Sequence, residues 1–384
     1  HIISHSIKNA EQLDSRKLLK TNNNFGYAKL NLSKTYENIQ KHFKKSKKLQ
    51  IITGFIASTE DGETTTLGRG GSDYTASIFA AALNAEEIEI WTDVDGIMTA
   101  DPRVVKKSFS IKNISYTEAM EMSHFGTKVI HPPTMQPASN KNIPIRIKNT
   151  LNPEFEGSVI SLKTSSALTI KGISTIKNIA LLRVQGGGMV GVTGISRRLF
   201  GSLARAEINI ILITQASSEH SICFVVKLEE SKKAKTAIEE EFELEIEAKK
   251  INKVIIEKDL SIIAIIGENM RHKPGVSGKM FQALGQNGIN VVAIAQGSSE
   301  LNISAVIPNK DTAKAINALH DSFFLSGTKS LNLFIIGATG LIGSTLIKQI
   351  EKEKNRIRKD QKLNIKIVGL ANSKKMAFNE EGVT

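Results

Sequence analysis

Cysteine is nearly absent from this sequence. Cys223 is the only one in 384 residues, which excludes an intrachain disulfide and points to a reducing compartment, so a cytoplasmic location is expected. Long apolar runs are missing too. None approaches the ~18 residues of a bilayer span, no secretory signal is visible, and no membrane partner is expected. Aromatic residues are scarce, at 5% with a single tryptophan. That scarcity counts against nucleic acid as the reason for a net charge of +13, from 51 Lys and Arg against 38 Asp and Glu. The lysines are interleaved with glutamate and have few rings beside them. The run Lys41–Lys48 reads as a solvated helix face. A phosphate-binding Walker loop is also lacking, because Gly278-Lys279 has Lys273 where the upstream glycine belongs and Met280 where Ser or Thr belongs. His124 and His131 have no companion at metal-ligand spacing, so no metal site is expected.

The most informative stretch that is present runs Thr64-Thr65-Thr66-Leu67-Gly68-Arg69-Gly70-Gly71-Ser72-Asp73-Tyr74. A Gly-rich turn carries a guanidinium and feeds a helix over Ser72–Leu83. Gly70 and Gly71 permit unusual backbone angles and close approach of a ligand. Ser72 or Asp73 can cap the helix, whose free N–H groups favour an anion, and Arg69 supplies a forked donor suited to a carboxylate. Taken alone, the turn reads equally well as a plain strand-to-helix connection. Around it, apolar runs at Leu49–Thr53, Glu87–Trp91 and Ile143–Lys148 alternate with helical patterns at Tyr74–Asn84 and Tyr116–Phe125. That alternation predicts a layered α/β domain over residues 1–165.

Two later segments, Ile90-Trp91-Thr92-Asp93-Val94-Asp95-Gly96-Ile97-Met98-Thr99-Ala100-Asp101-Pro102-Arg103 and Phe125-Gly126-Thr127-Lys128-Val129-Ile130-His131-Pro132, precede Ile143–Thr150. The order and spacing of these motifs resemble the second half of an aspartate kinase catalytic domain, over roughly residues 10–165. That family, within the amino-acid kinases, phosphorylates the side-chain carboxylate of aspartate with ATP. The resemblance implies that Arg69 and the Gly70-Gly71-Ser72 backbone hold L-aspartate. Asp73 faces its amino group or a metal. It assigns Thr92, Asp93, Met98, Arg103, Thr127 and Lys128 to ATP, which enters with its Mg ion, and catalysis to Arg69, Asp73 and Lys128. Met98 stands where the family often has Tyr, so an aromatic contact is lost. The family's Lys-Phe-Gly-Gly motif and an acidic substrate ligand are not present, so the chain taken alone is expected to be non-catalytic.

Residues 166–330 carry an internal repeat. Phe200–Val225 aligns without gaps to Phe281–Val306, pairing Ile208-Asn209 with Ile289-Asn290, Gln215 with Gln296 and Glu219 with Glu300. The copy predicts helix Arg197–Glu207, strands Ile208–Gln215 and Ser221–Lys227, and closing helices Lys232–Phe242 and Thr312–Phe323. It resembles a tandem of ACT domains, the βαββαβ modules that bind amino acids and regulate enzymes. Asn209, Gln215, Asn290 and Gln296 are the effector contacts the resemblance implies, threonine the effector, and a homo-oligomer through the ACT domains the assembly. A duplicated structural unit without a ligand is the competing reading.

Residues 331–384 open a third region: strand Leu331–Ile336, the turn Gly337-Ala338-Thr339-Gly340-Leu341-Ile342-Gly343, helix Ser344–Lys352 and strand Ile365–Leu370. This is the βαβ start of a Rossmann-like dinucleotide fold. Gly337, Gly340, Leu341, Ile342 and Gly343 would face the pyrophosphate. The second strand ends without an acidic residue, and Ser373 and Lys374, with Lys375, suit a 2′-phosphate, so NADP is expected. The segment resembles the N-terminus of homoserine dehydrogenase. Kinase, ACT pair and dehydrogenase in that order resemble the bifunctional aspartokinase–homoserine dehydrogenases. The chain starts at His1 and ends inside the nucleotide-binding unit, so it is expected to be a fragment. A catalytically inactive amino-acid sensor is the alternative function.

Overall fold

The computed structural model describes residues 7, 9–124, 130–162, 168–215, 219–325, 329–361 and 363–379. In the first region, β1 (Ala10–Leu13) and β2 (Leu49–Ile52) pair in parallel, and helix α1 (Leu32–Lys45) lies between them in sequence. Asn31 caps α1 by accepting from the Lys34 N–H, and the helix buries Ile39. β3 (Ile56–Ser58) and β4 (Thr64–Thr66) form a hairpin that leads into α2 (Gly71–Leu83). A four-stranded sheet follows in the order β5-β7-β8-β6, built from β5 (Ile88–Thr92), β6 (Asn113–Ser115), β7 (Ile145–Asn149) and β8 (Ser158–Ser161). Helices α3 (Tyr116–His124) and α4 (Pro132–Lys141) lie between β6 and β7 in sequence. Pro132 opens α4, where its missing N–H costs nothing, and Asn142 ends it in the left-handed conformation. The apolar side chains of Ile88, Ile145, Ile147 and Ile160 meet Met122 and Met135 in one core.

The repeat folds as a single six-stranded sheet, ordered β10-β11-β9-β12-β14-β13. Its elements are β9 (Gly172–Gln185), α5 (Ile195–Arg205), β10 (Leu212–Gln215), β11 (Ser221–Lys227), α6 (Ser231–Glu241), α7 (Glu243–Glu247), β12 (Ile255–Ile266), α8 (Val276–Gln286), β13 (Ala293–Gln296), β14 (Asn302–Pro308) and α9 (Thr312–Phe324). The two long strands explain how each copy completes its module. The first half of β12, Ile255–Glu257, pairs with Arg183–Leu181 of β9 beside the first copy. The first half of β9, Gly172–Ile176, pairs with Ile266–Ile262 beside the second. Each copy therefore borrows its fourth strand from the run leading into the other. Both long strands turn at equivalent residues, Asn178 and Asp259, each with φ of 57°. Asn and Asp tolerate this region better than other non-glycine residues. Gly194 and Gly275, also equivalent, precede α5 and α8 at φ of 90° and 86°.

The sheet does not stand apart from the first region. Leu181, Ile262, Ala264 and Val306 share the core that holds Ile114, Met122 and Ile147. Its edge strands β10 and β13 approach each other, and a cavity of about 350 Å³ between them is lined by Leu212, Ala295 and, from α3, Glu121 and His124. The edges are thus less open than two separate small sheets would leave them, although Ile213 and Ile294 stay exposed on them.

The last region is a βαβ unit. β15 (Lys329–Ile336) and β16 (Leu363–Ala371) are parallel, joined through α10 (Leu341–Gln361), and β17 (Met376–Phe378) adds antiparallel to β16. The helix is longer than Ser344–Lys352. Its charged continuation is carried by Lys354–Glu351 and Arg356–Glu353 pairs one turn apart.

Candidate active site

α2 starts without a side-chain cap. Gly70, at φ 71° and ψ 17°, is the capping residue, in place of Ser72 or Asp73. A Cβ at Gly70 would lie 2.9 Å from the Cβ of His131, so the turn also needs glycine where it meets the start of α4. With Gly71 N–H given to Gly68 and Tyr74 N–H to Gly70, the Ser72 and Asp73 N–H groups are left at the helix N-terminus for an acceptor. Arg69, Gly70 and Asp73 open onto a cavity of about 640 Å³ with His124, Ile130 and His131. Burial pushes the Asp73 carboxyl above its ordinary range. It also lowers the His131 imidazole, which the Arg69 charge lowers further. His131 Nδ1 is buried with no hydrogen-bond partner. The cavity thus carries a guanidinium and a carboxyl beside the start of α2, a set that can hold a small molecule bearing both charges.

The opposite wall comes from the repeat: Thr175, Lys177, Asn209, Ile211 and Lys227. Sequence reasoning missed Lys177 and Lys227, and no motif marks either of them. It placed Asn209 with the effector contacts, whereas here Asn209 shares a cavity with Arg69.

The residues expected at the nucleotide lie on β5 and the loop after it. Thr92 donates from Oγ1 to Asp93 Oδ1 at 3.2 Å. Met98 bridges to Ser110. Arg103 is exposed and paired within its own loop, donating to Asp101 at 3.0 and 2.8 Å, and this holds the Asp101 carboxyl below its usual range. Thr127 and Lys128 lie outside the described residues. None of Thr92, Asp93, Met98 or Arg103 lines the Arg69 cavity.

A second cavity, of about 480 Å³, lies in the first copy, between the turn before α5 and the end of β10. Its polar lining is Thr193, Ser196, Arg197, Gln215 and Glu219, and Met189 and Ile222 supply apolar wall. Glu219 accepts from the Gly191 N–H at 3.1 Å. Its counterpart Glu300 accepts from the His272 N–H at 2.8 Å. The frame is therefore repeated, but its contents are not. Thr193 is replaced by Pro274, Val192 by Lys273 and Arg197 by Gly278. Gln296 ends β13 as Gln215 ends β10, and Asn290 is exposed ahead of β13.

The turn between β15 and α10 is tight and depends on glycine. Gly337 has φ of 80°, and a Cβ at Gly343 would lie 2.2 Å from the Gly337 carbonyl oxygen, so this close turn requires glycine. Leu341 and Ile342, at the helix start, are fully open. After β16, Asn372 Oδ1 accepts from the Lys374 and Lys375 N–H groups, each at 2.8 Å, fixing the turn that carries Ser373 and Lys374. Among the described residues no group of three or more His, Cys, Asp or Glu is placed to hold a metal ion, and no helix is long and apolar enough to cross a membrane.

A layered α/β region joined to a duplicated βαββαβ sheet is the architecture of an amino-acid kinase fold with ACT modules. Residues 3–149 match the Amino acid kinase family, and residues 182–242 and 263–323 match the ACT domain. The Escherichia coli protein "Lysine-sensitive aspartokinase 3" is 35% identical over 318 residues, which cover 82% of this chain and 70% of that protein. The chain belongs to the aspartokinase family. The Haemophilus influenzae "Bifunctional aspartokinase/homoserine dehydrogenase" is 43% identical over 337 residues, 88% of this chain but 41% of that protein. The chain therefore spans less than half the length of this bifunctional relative. The crystal structure of E. coli aspartokinase III with aspartate and ADP, in its R-state, superposes with a TM-score of 0.70 at 31% identity, covering 84% of this chain and 71% of that one.

Proposed function

We propose that this chain is part of an aspartate kinase with amino-acid feedback, fused to homoserine dehydrogenase and acting in the cytoplasm in aspartate-family amino-acid biosynthesis. The observation that carries the reading is the Arg69–Asp73 turn, which heads α2 and brings Arg69, Gly70 and Asp73 to one cavity. A carboxylate is already ionised at neutral pH and needs no general base, so catalysis is positioning and charge neutralisation. An oxygen of the aspartate side chain attacks the γ-phosphorus of ATP. The bond to the bridging oxygen breaks, and 4-phospho-L-aspartate and ADP form. Arg69 and the Gly70-Gly71-Ser72 backbone orient the aspartate carboxylate and Asp73 its ammonium. Thr92, Asp93, Met98, Arg103, Thr127 and Lys128 serve ATP, whose Mg ion enters with it. For Arg103 this requires release from Asp101.

The effector site is the first copy's cavity, with Gln215, Arg197 and Glu219 placed for the carboxylate and ammonium of a free amino acid, threonine being the expected one. Exposed Ile213 and Ile294 on the sheet edges support a homo-oligomer through the ACT modules. The βαβ unit is the start of the dehydrogenase domain, where Gly337, Gly340, Leu341, Ile342 and Gly343 hold the pyrophosphate of NADP and Ser373 and Lys374 its 2′-phosphate. NADP supplies the hydride acceptor or donor. The domain limits follow: 1–165 kinase, 166–330 ACT pair, 331–384 dehydrogenase. The full-length gene product, assayed by trapping acyl phosphate with hydroxylamine, should turn over L-aspartate with ATP and be inhibited by threonine. Threonine binding without any turnover would instead mark an inactive sensor.

A further inference from the structure

The two copies of the repeat differ in what covers their helical faces. In the first, α6 and its neighbours are covered by the chain's own next segment. Ile246, Ile251 and Val254 pack into the core with Leu199 and Ile238, and Glu239 Oε1 accepts from the Val254 N–H at 3.0 Å. In the second, the equivalent face is covered by the kinase loop after β5. Ala100 and Val105 are buried in the same core as Ile263, Met280, Leu284 and Leu319. The position of Glu239 is taken by His320. His320 Nε2 lies 3.0 Å from Thr99 Oγ1, and both residues are fully buried. Thr99 is the hub of the loop. Its Oγ1 accepts from the Phe109 N–H at 3.2 Å, its N–H donates to the Phe109 carbonyl, and its own carbonyl accepts from the Ile173 N–H at 2.8 Å. Asn317, one turn earlier on α9, donates to the Val104 carbonyl at 3.2 Å. The His320 ring also packs against Phe324 and Phe109, at centroid distances of 4.8 and 6.3 Å.

We propose that His320, on the last helix of the second ACT module, is a positioning residue for ATP: it fixes Thr99, and through Thr99 the loop that carries Met98 and Arg103. Where the first module is covered by its own chain, the second is covered by the loop on the nucleotide side of the kinase. The first module keeps its own cover and its open cavity. This division gives the duplication two different jobs, sensing in one copy and transmission in the other. The proposal rests on the aspartokinase reading for its kinetic consequence, and on the contact itself for its structural one.

The test is steady-state kinetics of the full-length protein with His320→Ala and His320→Gln, whose amide nitrogen can reach Thr99 as Nε2 does. His320→Ala should raise KM for ATP about tenfold and leave KM for aspartate within about twofold, and His320→Gln should recover most of the loss. Unchanged ATP kinetics in an active His320→Ala protein overturns the proposal. So does an equal loss toward both substrates that Gln does not rescue, which would mark a purely structural histidine. If the wild-type protein does not phosphorylate aspartate, the functional reading has failed, and amide exchange then decides the contact. Exchange in residues 98–105 that is at least tenfold faster in His320→Ala supports it, and unchanged exchange overturns it.

Discussion

Lys171 is a sharp test of how the kinase region and the ACT sheet are joined. The side chain is 1% exposed, and its Nζ donates to the Asn113 carbonyl at 2.8 Å. Burial holds the ammonium below its ordinary pKa, and the charges of Glu118 and Glu268 pull it back up. Glu118 is as buried as Lys171 and accepts from the Ser115 and Glu268 N–H groups at 3.0 and 2.9 Å. Glu268 in turn accepts from Ser115 Oγ at 2.7 Å. Lys171→Met keeps the length of the side chain and removes the cation. Removing the ammonium forfeits its charge-assisted hydrogen bond to the Asn113 carbonyl, worth about 1.5–3 kcal/mol, and the better transfer of Met into the interior offsets about 1 kcal/mol of that, leaving a net loss of about 0.5–2 kcal/mol. Urea unfolding of the chain, followed by the fluorescence of Trp91, should show a lower midpoint at unchanged slope. A midpoint that stays put or rises in Lys171→Met would refute the reasoning, because it would mean that the cation compensates nothing.

Stability should also fall as the pH drops below about 6.5. His131 and His320 are both held below the ordinary imidazole value, by burial first. The unfolded chain therefore binds protons at higher pH than the folded one. The resulting loss begins near the unfolded value and is complete below the folded values. Melting temperatures from pH 8 to 5 should show this fall, and His131→Gln with His320→Gln should flatten it. The carboxylates Asp101 and Glu241, lowered by their arginine partners, act in a separate window, losing their contribution only as the pH falls through the carboxylate range. The two copies of the repeat should respond differently to threonine. Gln215→Ala should abolish the rise in melting temperature that bound threonine produces by mass action, and Gln296→Ala should leave most of it, because Gly278 stands where the first copy has Arg197. Loss of the shift in Gln296→Ala alone would reverse the assignment of the copies.

Much of the fold was legible because its signals are local. The alternation of apolar runs placed β2, β5, β7, β15 and β16 within a few residues of where they stand, and the glycine-rich turns at Gly70 and Gly337 marked the starts of α2 and α10. The constant spacing of Gln215 and Gln296 exposed the duplication. Strand Ser221–Lys227 was located to the residue. The exchange of fourth strands was not legible, since pairing between Ile255 and Arg183 is set by the whole sheet rather than by either segment. The first strand after α5 was drawn too long. Ile208 is buried, but the ladder starts only at Leu212, and the chain before it follows the left-handed turn at Glu207. Of the residues that line the cavity, Arg69 and Asp73 were singled out because they sit in a motif. Lys177 and Lys227 were not, and neither was His320, because their places in the cavity and beside Thr99 come from the packing of one region on another, which leaves no pattern near them in the chain.

The most direct test of the central claim is acyl-phosphate formation from L-aspartate and ATP by the full-length protein, compared with its Arg69→Ala variant. The wild-type protein should form the acyl phosphate, and Arg69→Ala should lose roughly 30- to 1000-fold in kcat/KM for aspartate, which corresponds to about 2–4 kcal/mol for a charge-assisted contact to a carboxylate. An active wild-type protein whose Arg69→Ala variant keeps near-normal turnover and aspartate affinity would contradict the assignment of this turn as the substrate site.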